Sequence, residues 1–237
     1  MSPLDPDLLL RAYSIGVFPM ADSREAEDVF WVEPRRRAIF PLHDFRLSRS
    51  LRKTVRSNRF RVTADQAFAE VVRACAAREE TWINAAIEQS YAVLHVRGSA
   101  HSIECWQDEE LVGGLYGVRL GGAFFGESMF SIRTDASKVA LAWLVARLVV
   151  GGFRLLDCQF MTDHLRSLGA VEISQRDYLV LLDSATASTG AGSAGGASSG
   201  AALGAPDLGA LDRLLAAGAT AGTPPGWVIA QLLGHTS

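Results

Sequence analysis

Cysteine is scarce in this sequence: Cys75, Cys105 and Cys158 are an odd number, and none stands in a Cys-x-x-Cys spacing. That argues against a disulfide framework or a zinc site of the usual kind, and favours a reducing compartment. The five histidines are scattered, with no second ligand at metal spacing. No basic segment followed by an apolar run marks the N-terminus as a signal peptide. The most apolar stretch, Val139 to Val150, is too short to span a bilayer and is interrupted by Arg147. A cytoplasmic protein is expected, with no membrane partner, no metal and no cofactor.

Acid is nearly missing from one region. Ten cations lie from Arg35 to Arg61, and Asp44 is the sole carboxylate among them. The whole chain has a net charge of −3, which argues against wholesale polyanion binding. A local basic field of that density still attracts phosphate. At 237 residues the chain fits one large domain or two small ones.

What is present reads as alternating helices and strands. Asp5-Pro6 starts a helix that Gly16 ends, and Phe30-Trp31-Val32 is a short extended segment stopped by Pro34. Arg46 to Ser57 is a basic helix with Leu51 and Val55 on one face, and Phe60 to Thr63 a strand. Asp65 is read as the cap of a helix through Phe68, Val71, Val72 and Cys75, and Ala85 to Val96 is another helix. Ser102–Gln107, Leu111–Val118 and Ala123–Met129 then form an antiparallel meander, with turns at Asp108-Glu109-Glu110 and Leu120-Gly121-Gly122. Ser137 to Val150 is a helix, Arg154 to Gln159 a strand, His164 to Leu168 a short helix and Tyr178 to Leu182 a last strand. The expected class is α+β, a mixed sheet flanked by helices. Residues 184–205 are almost entirely Ala, Gly, Ser and Thr, the composition of a flexible linker. Beyond it, Leu208, Leu211, Leu214 and Leu215 make one apolar stripe and Ile229, Leu232 and Leu233 another. The sequence does not decide whether these dock on the body or stay loose.

Two acids stand out. Asp157 ends the apolar strand Phe153 to Leu156, where a charge is expensive to bury without a task or a partner, and Gln159 lies on the same strand face at i+2. Glu127 sits inside Phe124-Phe125-Gly126-Glu127-Ser128-Met129-Phe130 and is read as binding a substrate cation or, structurally, as a salt bridge with Arg133 or Lys138, since buried charge requires pairing. Each also has a plain structural reading, as a turn cap and a salt bridge respectively.

These segments, in order and spacing, resemble the bacterial leucyl/phenylalanyl-tRNA–protein transferases. The resemblance rests on Ala12-Tyr13-Ser14-Ile15-Gly16-Val17-Phe18-Pro19, Trp31 to Pro34, Arg37-Ala38, Ser48 to Lys53, Thr81-Trp82-Ile83, and Ala100 to Glu104. It is densest over Leu111 to Val118, Phe125 to Ser131, Ala136-Ser137-Lys138, Asp157-Cys158-Gln159 and Ser167 to Ala170, and covers roughly residues 8 to 182. It implies a fold like the GNAT-type N-acetyltransferases: a reduced N-terminal domain over 1–34, a catalytic domain over 35–183, and a linker and tail over 184–237. It also implies transfer of leucine or phenylalanine from aminoacyl-tRNA to proteins with N-terminal Arg or Lys, which marks them for N-end-rule degradation. Methionine is a further donor to consider. Met20 and Val32 depart from the family, standing where many members have tryptophan.

The resemblance gives Asp157 and Gln159 a joint role in activating or orienting the amine, with Asp157 either accepting its proton or positioning it. Glu127 would bind a substrate cation. Phe125, Met129 and Ser131 fall on the expected pocket wall, with core packing as the other reading for Phe125 and Met129. Trp82 and Trp106 could stack the terminal adenosine. Arg46, Arg49, Arg52, Lys53 and Arg56 would hold acceptor-stem phosphates, or else form a solvated helix face. Asp135 is read as the cap of the following helix, and His101 and His164 as satisfied structural histidines. An acetyl-CoA acetyltransferase is the nearest rival, but Ser131 to Lys138 lacks the glycines of a pyrophosphate-binding turn. A non-catalytic RNA-binding module leaves Glu127 and Asp157 unexplained.

Overall fold

Capping sets the first element. Asp5 accepts hydrogen bonds from the N–H groups of Asp7 and Leu8, Pro6 takes the first helical position, and α1 runs over Pro6–Ser14. Strands β1 (Phe18–Met20) and β2 (Phe30–Val32) then pair antiparallel. The computed structural model describes residues 4–187, 205–219 and 222–234.

Seven further strands form one sheet. They are β3 (Arg36–Phe40), β4 (Arg61–Ala64), β5 (Ala100–Gln107), β6 (Glu110–Leu120), β7 (Ala123–Ser131), β8 (Leu155–Gln159) and β9 (Val171–Ser174). Their order is β4-β5-β6-β7-β8-β3-β9, and only β7 and β8 run parallel. The β5-β6-β7 meander turns where expected: Asp108 and Glu109 both take positive φ, and Gly121 supplies the next left-handed corner.

Helices cover both faces, as the sequence led us to expect. One face carries α2 (Arg49–Arg56), α5 (Ala136–Val150) and α6 (Asp163–Ser167). The other carries α1, α3 (Phe68–Ala76), α4 (Ala85–Val96) and α7 (Gln175–Thr186), with Leu9, Tyr13 and Phe18 fully buried beneath them. Among the described residues no helix is long and apolar enough to cross a membrane.

Two local expectations are corrected. Tyr178 to Leu182 is not a strand but part of α7, which buries Tyr178, Leu182 and Ala185 at helical spacing. Asp65 does not cap α3. It adopts a positive φ, accepts the Ser102 N–H and faces the His101 ring at 2.7 Å.

The C-terminal segment docks. Helices α8 (Ala210–Ala219) and α9 (Pro225–Leu232) bring Leu208, Leu211, Ile229 and Leu233 into the core beside α5. Arg147, in the apolar later part of α5, is buried there and donates to the Leu208 carbonyl and to both oxygens of Asp212. The backbone of α9 rests on α2 so closely that a Cβ on Gly226 would stand 2.0 Å from the Val55 carbonyl. Of the expected linker, Ser184 to Thr186 finish α7, and residues 188–204 lie outside the described residues.

Three register shifts interrupt the alternation of side chains; one lies between β5 and β6, and the other two are β-bulges on β7 and β8. Tyr116 faces Ser128 and Gly117 faces Gly126, leaving Glu127 as the extra residue of β7. Ile39 faces Asp157 and Ala38 faces Gln159, leaving Cys158 as the extra residue of β8. A Cβ on Gly117 would lie 2.3 Å from the Phe125 carbonyl, so the first bulge requires glycine opposite it. Gly117→Ala is therefore expected to cost about 1–3 kcal/mol, read as a lower midpoint in urea unfolding.

Candidate active site

Strands β7 and β8 pair only from Ala123–Leu155 to Phe125–Asp157 and then part. Both bulges fall where they part, and the wedge opens into a pocket of about 400 Å³. Glu127 and Gln159 line it from the two strands, and Leu115, Met129, Leu141, Leu144, Leu156 and Leu165 give it apolar walls. Trp82, Arg78 and His164 also line it.

Glu127 is 8% exposed and belongs to a closed ring of hydrogen bonds. Tyr13 Oη lies 2.7 Å from Oε1, Tyr91 Oη lies 2.8 Å from Oε2, and the two phenol oxygens are 2.6 Å apart. Gln159 Nε2 donates to Oε1 at 3.0 Å. The ring has three contacts, but the phenols hold only two protons. If the carboxyl is ionised, both hydroxyls donate to it and nothing bridges the phenol oxygens. A proton on Oε2 closes the ring: Glu127 donates to Tyr91, Tyr91 to Tyr13, and Tyr13 back to Oε1. Burial acts in the same direction, raising the Glu127 pKa from 4.5 to about 7 against the three hydrogen bonds that lower it. Burial and the nearby Glu127 also push both phenols well above their ordinary pKa, so they stay protonated.

Asp157 is not at the pocket surface, contrary to the expectation that it stands beside the amine. It is fully buried and does not line the wedge. Its Oδ1 accepts from Arg37 Nε at 2.9 Å and from the Gln159 N–H at 2.8 Å. Its Oδ2 accepts from Arg37 Nη2 at 2.5 Å and from Tyr178 Oη at 2.9 Å. Arg37, 1% exposed, stacks on the rings of Phe18 and Tyr178 and donates from Nη1 to the Gly16 carbonyl. This satisfied pair fixes the end of β8, where Gln159 takes a left-handed φ of 63° and turns its amide onto Glu127.

The remaining expected residues divide. Trp82 and Met129 line the pocket. Phe125 does not: it is buried against Tyr13, their ring centroids 4.8 Å apart. At unbroken strand periodicity Phe125, Glu127 and Met129 would share one face. The bulge at Glu127 breaks that alternation, so Phe125 packs with the α1 core and Met129 against the α5 core. Trp106 also lies away from the wedge, donating to Thr63 Oγ1 with Arg61 over its ring. Ser131 borders a neighbouring hollow, and its Oγ accepts the Ser137 N–H at the start of α5. Asp135 is the cap residue there but makes no side-chain cap bond, and pairs with Lys138 instead.

Arg49, Arg52, Lys53 and Arg56 lie along α2, and Arg46 just precedes it. The Arg46 N–H donates to the Leu168 carbonyl at the end of α6, which also supplies His164 and Leu165 to the pocket. Arg37 does not belong to that field, because it points inward to Asp157.

Four participants carried little sequence signal. Tyr13 and Tyr91 read as apolar helix positions, and nothing local links Arg37 to a carboxylate 120 residues away. His164, expected to be satisfied, lines the pocket with a buried Nε2 that has no hydrogen-bond partner among the described residues. Burial and Lys138 lower its pKa. Among the described residues no group of three or more His, Cys, Asp or Glu could hold a metal ion.

Comparison with known proteins gives a consistent result. The family model described as leucyl/phenylalanyl-tRNA protein transferase matches residues 39–183, and that of its N-terminal domain matches residues 2–35. A leucyl/phenylalanyl-tRNA–protein transferase of Rhizorhabdus wittichii is 66% identical over the whole of both chains. One of Novosphingobium aromaticivorans is 52% identical over 99% of this chain and 97% of its own. One of Zymomonas mobilis is 61% identical over 78% of this chain and 70% of its own.

The raised pKa of Glu127 has a signed consequence for stability. The folded state holds the proton more tightly than the unfolded chain, so this group's contribution is full below about pH 4.5 and is lost as pH rises through about 7. The loss is about 3 kcal/mol. Glu127→Gln keeps a donor and an acceptor for the ring but cannot ionise. Denaturant unfolding from pH 5 to 8 should show this variant gaining stability relative to the parent as pH rises.

Proposed function

The chain belongs to the leucyl/phenylalanyl-tRNA–protein transferase family, and from that membership we propose that the wedge between β7 and β8 is where its aminoacyl ester meets the acceptor amine. It is an aminoacyltransferase that takes its acyl group from aminoacyl-tRNA and delivers it to a protein. The observation that carries the site assignment is an apolar-walled pocket with two convergent polar groups, Glu127 and Gln159, at the point where the parallel strands separate.

In this reading the donor's leucyl or phenylalanyl side chain lies against Met129, Leu141 and Leu144. The flexible thioether of Met129 suits a wall that must accept both shapes, and methionine as well. Trp82 stacks the terminal adenosine, and the α2 cations hold acceptor-stem phosphates. Acceptors begin with Arg or Lys, and the product is a substrate for N-end-rule degradation.

The ester is already activated, so the enzyme's main task is alignment, which can supply about 7–11 kcal/mol of the barrier. The other task is one proton. A protein α-ammonium has an ordinary pKa of about 8, close to the value of about 7 at Glu127. Once Glu127 is ionised, taking that proton is uphill by only about 1 kcal/mol. The freed amine nitrogen bonds to the ester carbonyl carbon, the carbon–oxygen bond to ribose breaks, and the ribose oxygen takes up the second proton that the nitrogen sheds as it becomes an amide, while Glu127 keeps the first until it passes to solvent. Gln159 orients Glu127. Asp157 acts through Gln159, as a positioning residue.

Two experiments test this. Labelled leucine or phenylalanine on tRNA should appear on a peptide beginning with Arg or Lys and not on its acetyl-blocked twin. Absence of transfer where a known family member works would sink the assignment. Asp157→Asn should lower turnover more than affinity for charged tRNA and leave the acidic limb of the pH–rate profile in place. A shift of that limb would return Asp157 to the role of proton acceptor.

A further inference from the structure

Helix α2 carries Arg49, Arg52, Lys53 and Arg56 with no acid, and Arg46 just precedes it. Among the described residues none of these five makes an ion pair. Arg24, Arg36, Arg37, Arg97, Arg147 and Arg166 all do. A row of like charges kept without internal counterions draws them from a partner. The row starts beside α6 at the pocket wall and follows α2 outward for about 12 Å.

At its far end stands a residue the basic row does not explain. Trp227 of α9 is 49% exposed, and its ring lies over the Arg56 guanidinium, 3.3 Å from centroid to carbon. Together with Arg49, Arg52, Lys53 and Arg56 it lines a groove of about 360 Å³. The indole is held in place. Gly226, the residue before it, donates its N–H to Asn58 Oδ1 and abuts the Val55 carbonyl, while Ile229 and Leu233 of the same segment are buried. An aromatic face fixed among unpaired cations matches a chain of phosphates bearing flat rings, with the guanidinium adding cation–π attraction.

We propose that α9 is a second RNA-contact element: Trp227, seated on Arg56, receives a nucleotide of the tRNA body while α2 neutralises the adjoining phosphates. The proposal rests on the transfer reading above and adds to it, because α9 lies outside residues 39–183. The groove shares no lining residue with the pocket, so the nucleotide it takes is not the aminoacylated one.

The test compares two donors, intact phenylalanyl-tRNA and the short ester 3′-O-phenylalanyl-adenosine, with one Arg-initiated peptide. Trp227→Ala should lower kcat/KM for intact tRNA on the order of tenfold, chiefly through KM, and leave the short donor unchanged. Trp227→Phe should recover most of the loss. An equal loss with both donors would mean that Trp227 only holds the fold, and no loss with either would mean that α9 does not meet RNA. Both results overturn the proposal. A wild-type protein inert with both donors would instead refute the transferase reading itself.

Discussion

A guanidinium and a carboxylate that have both left water join four separate parts of this chain. Arg37 comes from β3 and Asp157 from β8, the Gly16 carbonyl from the turn after α1, and the Tyr178 hydroxyl from α7. Taking two such ions out of solvent costs several kcal/mol each, and the cost is met only when their remaining donors and acceptors are filled. Asp157 fills its acceptors with Arg37, Tyr178 and the Gln159 N–H. The elements that provide those groups have therefore little freedom to move apart. The left-handed backbone at Gln159 is strained for a residue other than glycine, and this network holds it there.

On that base stands a second polar cluster of opposite character. The Arg37–Asp157 pair is charged and closed, whereas the Glu127 ring is neutral when complete and reaches the pocket along one edge. A site that keeps its acid neutral avoids holding a bare anion in an apolar wedge. It still offers the anion once a cationic amine is there to share the proton. Gln159 links the two clusters, bonded through its N–H to one and through its side chain to the other.

Much of this was legible in the sequence because it is local. Helix α4 and the β5-β6-β7 meander follow from periodicity and turn residues alone. Glu127 and Asp157 stood out as acids within apolar strands. What periodicity could not give is the pair of bulges, since one extra residue in a strand reverses every later side chain without changing composition. That is why Phe125 and Met129, two turns of the alternation apart, end in different cores. The partner of Asp157 was hidden for another reason: Arg37 sat in a run of basic residues that reads as surface charge. The run from Tyr178 to Leu182 was ambiguous between strand and helix, and only the core beneath it resolved the choice.

The long span between Arg37 and its partners also bears on how the protein is made. The two charged groups are 120 residues apart, and Tyr178 follows later still. At about 5–20 residues per second, the ribosome leaves Arg37 without its carboxylate for about 6–24 seconds. Through that interval Phe18 and Tyr13 have no completed pocket to enter, and the first third of the chain waits as an unfinished surface. Helix α1 thus emerges well before the groups that hold it and is among the last segments to settle, and anything that engages it in the meantime competes directly with assembly of the active site.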